Sequence, residues 1–181
     1  MQINSTLTNH AGQVLDVIYY DLDNLAELDA VGKTKNVSGV HGFCFFGEKM
    51  VIVYAAAKGY WGHPGGGVEP GESIEQALIR EIKEETNMRV VSQHIIGYQE
   101  IFEPDVSDSS GAPGSVNAMR IVTQTRSLCI VEPYGPFTTD PDGDVTEIKL
   151  IDTAELTRYV DWAKIGEHIL QRAMELKKIS R

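Results

Sequence analysis

A glycine-rich segment that runs directly into an amphipathic helix constrains this chain more than any other feature. Residues 59–71 contain six glycines and two prolines, a composition that favours a tight, shaped loop. Residues 73–86 predict a helix, because Ser73 and Gln76 form a capping-box pattern and apolar residues recur at helical spacing. The predicted apolar face comprises Ile74, Ala77, Leu78 and Ile82. A helix with one such face has to bury it against a sheet or another helix.

The other face of this helix carries too many carboxylates for its own stability. Glu81, Glu84 and Glu85 are neighbours on the helix surface, where each like-charge pair costs a few tenths of a kcal/mol. They also lie in the last turns, where the helix dipole disfavours negative charge. A hard divalent cation offsets both penalties. A solvated acidic face balanced by Arg80 and Lys83 is the alternative, but the glycine loop ahead favours a ligand site, because glycine allows close backbone approach.

The spacing of these residues resembles the Nudix box. Gly66 is followed after five residues by Glu72 and, after seven more, by Arg80-Glu81-Ile82-Lys83-Glu84-Glu85-Thr86-Asn87-Met88. One fixed position departs from the family pattern, since Asn87 stands where the family has glycine. Glycine there ends the helix in a left-handed conformation, and asparagine is the next most tolerant residue. We therefore expect the helix to end at Asn87 with its carboxylates in the family arrangement.

The resemblance implies a metal-dependent hydrolase of phosphate anhydrides and gives roles to single residues. Glu81, Glu84 and Glu85 would bind Mg²⁺ or Mn²⁺, and either Glu81 or Glu85 would be the general base. Arg80 would hold a box glutamate in place. Further metal ligands would be the carbonyl of Gly65, Glu72 as an outer or second-metal residue, and Glu147 on a downstream strand. A solvent-exposed strand position is an equal alternative for Glu147.

The order of predicted elements indicates an α/β (α+β) fold. Strands are predicted at residues 13–20, 37–46, 49–56, 90–92, 94–102, 118–131 and 145–151, and helices at 73–86, after Asp152 and after Asp161. The resemblance implies an α/β/α sandwich with a mixed sheet and a catalytic loop-helix-loop. We expect residues 36–181 to form the Nudix domain and residues 1–35 to be an N-terminal extension packed on it. An exposed strand at 13–20 would be a pairing edge for a homodimer.

Composition and charge limit the kinds of partner this chain can bind and the compartment in which it is expected. The formal net charge of −10 disfavours a nucleic-acid polymer or an anionic membrane as partner. No signal peptide or bilayer-spanning apolar run is evident. Cys44 and Cys129 lie in apolar runs and are predicted to be buried thiols, which fits a reduced, cytoplasmic setting. His41, His63 and His94 lack metal-ligand spacing and are predicted to be structural.

Substrate selection must come from residues outside the box. Arg120 and Arg126, on one predicted strand, are candidates for phosphate contact or for solvent-facing positions. Tyr98 lies near a tyrosine that marks some dinucleoside-polyphosphate hydrolases of the family, but a strand tyrosine also suits the core. The loops 104–116 and 132–143 are candidate pocket walls.

The leading hypothesis is therefore a pyrophosphohydrolase acting on a small nucleotide. Its substrate would be a nucleoside diphosphate linked to another group, such as ADP-ribose or a nucleotide sugar, or a nucleoside triphosphate. Two alternatives are a non-catalytic nucleotide-sensing domain of the same fold and an enzyme like an isoprenyl-diphosphate isomerase. The isomerase would need a catalytic cysteine, for which Cys44 is available. The intact set of box glutamates favours the hydrolase over both.

Overall fold

The computed structural model describes residues 1–9, 11–104, 119–138, 143–160 and 163–179. The strands are β1 (Gln2–Thr8), β2 (Val14–Asp21), β3 (Val37–Phe46), β4 (Lys49–Ala55), β5 (Tyr60–Gly62), β6 (Gly65–Gly67), β7 (Met88–Pro104), β8 (Met119–Pro133) and β9 (Val145–Ile151). The α-helices are α1 (Leu25–Ala30), α2 (Ile74–Thr86) and α3 (Ala163–Ile179), and 3-10 helices span Thr34–Asn36 and Thr153–Arg158.

The strands form one mixed sheet in the order β1-β2-β7-β8-β3-β4-β5. β3 and β8 are parallel, whereas the other paired strands run antiparallel. β6 pairs with β3 beyond the point where β4 leaves it, and β9 pairs with β4. This arrangement places the short glycine strand β6 directly beside the long central strand β3.

Helices cover both faces of the sheet. Strand residues alternate between faces, so Phe43 and Phe45 belong to one buried cluster and Cys44 to another. The first cluster contains Ile165, Ile169 and Ala173 of α3. The second contains Ile74, Ala77, Leu78 and Ile82 of α2. The predicted α/β/α sandwich with a mixed sheet is therefore confirmed, and α2 buries the face that its sequence predicts.

The structure corrects several predicted boundaries. Residues 59–71 are not wholly a loop, because β5 and β6 lie within them. The strands predicted at 90–92 and 94–102 are one strand, β7, whose pairing with β8 shifts register in two places. β1 had no counterpart in the prediction. The predicted strands at 13–20, 37–46, 49–56 and 145–151 are confirmed to within one residue.

The N-terminal residues are continuous with the sheet. β2 lies between β1 and β7, so the expectation that residues 13–20 form an exposed pairing edge is wrong. That position belongs to β1, the terminal strand of the sheet as described. Lys33, just after α1, forms an ion pair with Glu100 of β7. The boundary at residue 35 and the homodimer stay predictions.

Several predictions fall outside the described residues. They concern residues 105–116 of the first candidate loop, residues 139–142 of the second, and the capping residue Asp161 with its neighbour Trp162. The buried state of Cys44 and Cys129 is confirmed, and the two thiols are register partners on β3 and β8.

Candidate active site

Local sequence signals fix both ends of α2. At its start the Ser73 hydroxyl accepts from the backbone N–H of Gln76 at 3.2 Å, and the Gln76 side chain accepts from the Ser73 N–H at 2.9 Å. At its end Asn87 adopts the left-handed conformation, with φ 52° and ψ 36°. Its N–H donates to the Lys83 carbonyl, and its side chain donates to the Pro136 carbonyl at 2.8 Å. Asparagine therefore ends the helix in the manner expected of the family glycine.

Two glycines of β6 leave no space for a side chain. Gly65 has a φ of +145°, and a Cβ there would lie 2.7 Å from the Cα of His41 and closer still to the Val40 carbonyl oxygen. A Cβ on Gly66 would lie 2.6 Å from the carboxylate of Glu81. Gly67, by contrast, has open space at this position within the described part of the chain. β6 is therefore pressed against β3 on one side and against the glutamates of α2 on the other.

Arg80 ties the acidic residues of the box together. Its guanidinium donates to both carboxylate oxygens of Glu72, at 2.8 and 3.0 Å. It also donates to Glu81 at 2.9 Å, to Glu84 at 3.0 Å and to the Gly67 carbonyl at 2.9 Å. The bidentate geometry with Glu72 is the strongest form of this contact.

The charges of this network support one another. The pKa of Arg80 lies above its ordinary range, mainly because of its hydrogen bonds to Glu72. The hydrogen bond from Arg80 in turn lowers the pKa of the Glu72 carboxyl. Ionised carboxylates are the state needed for binding a cation. The role expected for Arg80, to hold a box glutamate in place, has this geometry behind it.

Glu85 is held from a different direction. The backbone N–H of Gly65 donates to its carboxylate at 2.7 Å. Glu81 and Glu85 therefore both lie over β6, one against Gly66 and the other against Gly65. The structure thus brings Gly65, Glu72, Arg80, Glu81, Glu84 and Glu85 into one site.

This donor set suits a hard divalent cation. Within the described residues, no three acidic, histidine or cysteine side chains are close enough to hold a metal ion as they stand. Arg80 engages oxygens of Glu72, Glu81 and Glu84, which spreads these carboxylates around the guanidinium. The carboxylate oxygens that crowd Gly66 are nevertheless the ligand type that Mg²⁺ and Mn²⁺ prefer.

Tyr98 and Arg120, predicted to bind substrate, lie on β7 and β8, and Glu147, predicted as a metal ligand, lies on β9. Tyr98 is buried and stacks on Tyr20, with ring centroids 4.8 Å apart, so it is a core residue. Arg120 is exposed and pairs with Glu103 at 2.7 Å. Glu147 is exposed on β9, opposite Tyr54 of β4.

Arg126 neither faces solvent nor lies on an open surface. It is 2% exposed, its guanidinium donates to the Gln124 side chain and the Thr125 carbonyl, and it contacts His41 Nδ1 at 3.0 Å. His41 pairs with Gly65 across β3 and β6. Burial lowers the pKa of Arg126 to about 9, which leaves the guanidinium charged at neutral pH. No local pattern in the sequence indicates that this cation is buried beside the strand that pairs with β6.

The structure adds two contacts that the sequence prediction did not include. The carbonyl of Gly67 accepts from Arg80, and the third glycine of the Gly65-Gly66-Gly67 run was the available signal. The ammonium of Lys149 lies 4.3 Å from the centroid of the Trp61 ring, beside the segment that leads into β6. A lysine on an alternating strand gives no such signal before the sheet is known.

Comparison with known proteins identifies the family. The NUDIX domain model matches residues 36–173. A nucleoside triphosphatase, NudI, of Salmonella heidelberg (strain SL476) is 32% identical over 101 residues, which cover 52% of this chain and 70% of that protein. The chain therefore belongs to the Nudix family, whose hydrolases act on phosphate anhydrides and generally use divalent metal ions.

Solved structures agree on the fold. The pyrophosphohydrolase BsRppH of Bacillus subtilis, solved as a point mutant, has a TM-score of 0.67 at 18% identity and covers 94% of this chain and 96% of its own. The NUDIX domain of Shewanella oneidensis NrtR, solved with ADP ribose, has a TM-score of 0.54 at 17% identity, covering 83% and 96%. Among the described helices, none has the length and apolar character needed to cross a membrane.

Proposed function

We propose that this chain is a Mg²⁺- or Mn²⁺-dependent pyrophosphohydrolase of small nucleotides. The observation that carries the proposal is the gathering of four glutamates and Arg80 around the glycine strand β6. The substrate would be a nucleoside triphosphate or a nucleoside diphosphate linked to another group. The triphosphate has the support of a relative that is 32% identical and is named a nucleoside triphosphatase.

Each box residue would have a separable task. Glu81, Glu84 and Glu85 would hold the cation, with the Gly65 carbonyl beside them and Glu72 at the margin through Arg80. The cation, when bound, neutralises the phosphate oxygens and lowers the pKa of a water molecule. Either Glu81 or Glu85 would take the proton from the attacking water. Both carboxylates lie over β6, so the geometry suits either as base.

Arg80 would stay a positioning residue in this scheme. Three of its partners are carboxylates and the fourth is the Gly67 carbonyl, so its guanidinium is committed to the protein. The proposed contacts of Arg120 with substrate and of Glu147 with the metal rest on the sequence alone. Arg126 and Tyr98 are buried, so we do not assign them to substrate contact.

Buried thiols count against the isomerase alternative. Cys44 is fully buried, and burial raises the pKa of its thiol well above the ordinary value. A catalytic cysteine needs a reactive thiolate with access to substrate. Cys44 and Cys129 are also free although they are neighbours on β3 and β8. This is consistent with the reducing cytoplasm that we propose as the compartment.

The test is metal-dependent turnover across a substrate panel. The panel comprises nucleoside triphosphates, ADP-ribose, nucleotide sugars and dinucleoside polyphosphates, each with Mg²⁺, Mn²⁺ or a chelator. We expect turnover of one class and a loss of at least ~100-fold in the Glu85→Gln variant. Glu69→Gln is the matched control, because Glu69 is an exposed glutamate in the loop between β6 and α2.

Two results would contradict the proposal. Activity that survives Glu85→Gln would place the chemistry elsewhere. Tight binding of one nucleotide with no turnover of any panel member would instead favour the nucleotide-sensing alternative.

A further inference from the structure

A cavity lies at the opposite end of α2 from the box glutamates. It has a volume of about 230 Å³ and is bounded by the start of α1, the first turn of α2 and the middle of β7 and β8. Its lining includes Asp23, Ile74, Glu75, Gln93, Ile95 and Ser127. Glu75 and Glu85 are ten residues apart on the same helix, which separates the two sites by roughly 15 Å along its axis. We call it the β7–β8 cavity.

Two residues that line the β7–β8 cavity carry buried polar atoms without partners among the described residues. The Ser127 hydroxyl belongs to a residue that is 0% exposed and has no hydrogen-bond partner among the described residues. The side-chain carbonyl oxygen of Gln93 is likewise buried and unpartnered within the same part of the chain. Buried polar atoms in proteins are nearly always hydrogen-bonded, and each exception calls for a ligand or a water molecule. Both residues line the same cavity, which points to one occupant.

The charge of the lining decides what kind of occupant fits. Asp23 and Glu75 contribute carboxylates and His94 an imidazole, and the lining, as far as the described residues form it, contains no lysine or arginine. Asp23 forms an ion pair with Arg172, whereas no described cation forms an ion pair with the half-buried Glu75. A phosphate would be repelled here. A positively charged group would be attracted, and burial of that charge requires acceptors around it.

We propose that the β7–β8 cavity binds the primary ammonium group of a small organic amine. An ammonium carries three hydrogen-bond donors and no acceptor. The Gln93 carbonyl oxygen and the Ser127 hydroxyl oxygen accept two of these, and Glu75 supplies the counter-charge. The buried apolar side chains of Ile74 and Ile95 receive the methylene part of the amine. The cavity is distinct from the box glutamates, because it lies at the start of α2 and they lie near its end.

The cavity is also connected to the catalytic loop. Ser127 is the register partner of Gly42 on β3, and the Gly42 N–H donates to the carbonyl of Pro64 at 2.8 Å. Pro64 immediately precedes Gly65. Ile74 and Glu75 open the helix that carries the box glutamates. An amine bound here contacts the start of α2 and strand β8, and β8 is linked to the Pro64 segment through Gly42 of β3.

The test is an NMR titration of the full chain with 1,4-diaminobutane at constant ionic strength and in the presence of a chelator. Since no hydrolysis is involved, its failure is distinguishable from failure of the proposed function. We expect saturable shifts of the amides of Glu75, Gln93 and Ser127. In Ser127→Ala and in Glu75→Gln the Kd should rise about tenfold or more, because each variant loses one charged or buried hydrogen-bond partner. Glu69→Gln is the matched control and should bind as the parent does.

Control ligands decide between an amine site and a cavity that holds water. Tetramethylammonium has the charge but no N–H donor and should give no saturable shift, and ammonium chloride should bind much more weakly than the diamine. The proposal would be overturned if the shifts did not saturate, or if the Kd were unchanged in both folded variants. It would also be overturned if tetramethylammonium or the inorganic ammonium ion bound as well as the diamine.

Discussion

Two arginines on opposite sides of β6 show how differently one fold can hold the same cation. Arg80 is partly exposed and is surrounded by Glu72, Glu81 and Glu84. Arg126 is buried, and its described hydrogen-bond partners are neutral side chains and a carbonyl. Carboxylates raise the pKa of Arg80, whereas burial lowers that of Arg126 to about 9. The side of β6 that faces α2 is thus stabilised mainly by ionic contacts, and the side that faces β3 and β8 mainly by buried packing contacts.

The difference predicts that the two sides fail in different ways. Substitutions on the α2 side should remove metal-dependent activity while the fold survives, because its parts are half-exposed and adjustable. Substitutions on the β3 side should destabilise the fold, because buried backbone and side-chain groups there have no room to move.

The largest effect is expected from Gly65→Ala. A Cβ at this position collides with the backbone of Val40 and His41, which cannot move without breaking the β3–β6 pairing. The φ of +145° is also strained for alanine. We expect a loss of ~3 kcal/mol or more in the free energy of unfolding, together with loss of activity. Urea denaturation checks this, and a variant with the parent's midpoint would show that β6 is not held against β3.

Gly66→Ala should produce the second-largest effect and a different phenotype. The three atoms nearest to its Cβ all belong to the carboxylate of Glu81, the far end of a flexible side chain, which can swing away. Displacement of a catalytic group by about 1 Å can cost ~100-fold in rate. We therefore expect activity to fall by about that factor while the urea midpoint stays within error.

Gly67→Ala is the matched control for both substitutions, since no atom of the described residues lies within 4 Å of its added Cβ. It should retain activity and stability. A Gly66→Ala variant as active as Gly67→Ala would mean that the position of Glu81 against β6 is not needed for turnover.

The contrast also explains how much could be predicted from the sequence. The charged side was predictable because its partners are close along the chain: Glu72, Arg80 and Glu84 lie on one loop and one helix, where 3.6-residue periodicity fixes their neighbours. The capping signals of Ser73 and Asn87 are local for the same reason. The sandwich followed from the family resemblance and from strand patterns.

The packed side could not be predicted, because its contacts join residues that are far apart in sequence. Arg126 meets His41 across 85 positions, and only the parallel pairing of β8 with β3 brings them together. An arginine on a strand looks the same in sequence whether it is buried or exposed. β1 was missed because an alternating polar strand carries little hydrophobic signal.

Arg80→Lys should have a third, smaller effect. Lysine keeps the charge but loses the planar fork that joins Glu72, Glu81 and Glu84. Loss of such a supporting contact typically costs about 10–100-fold in metal affinity or activity. At the lower end of that range, we expect the Mg²⁺ concentration for half-maximal activity to rise ~10-fold, measured by titration of the metal at saturating substrate.

Arg126→Lys is the comparison that sharpens this result. It also keeps the charge but loses hydrogen bonds to neutral acceptors in a buried position, so it should lower the free energy of unfolding by ~1–3 kcal/mol. The Mg²⁺ half-saturation point should not move. If both variants changed the free energy of unfolding and the Mg²⁺ half-saturation point in the same way, the proposed difference between the ionic side and the packed side of β6 would be wrong.

The smallest effect on stability near neutral pH is expected from His63, on the packed side. This effect grows as the pH falls. His63 is buried and stacks on Phe43 with ring centroids 4.1 Å apart, and burial lowers its pKa to about 3. In the unfolded chain the imidazole takes up a proton near pH ~6.5, which the folded chain refuses until about pH 3. The contribution of this residue to stability is therefore complete above pH ~6.5 and declines as the pH falls towards ~3, by ~1.4 kcal/mol per pH unit.

His63→Phe should remove this pH dependence while the aromatic stack is kept. The free energy of unfolding of the variant, measured by urea denaturation at about pH 7, 6 and 5, should then fall less steeply than that of the parent. Some slope should remain, because burial also holds the pKa of His41 well below its ordinary value. His94→Gln, at an exposed position, is the control. Equal slopes in parent and His63→Phe would mean that acid unfolds the protein through the charged side, for example by protonating the carboxylates around Arg80.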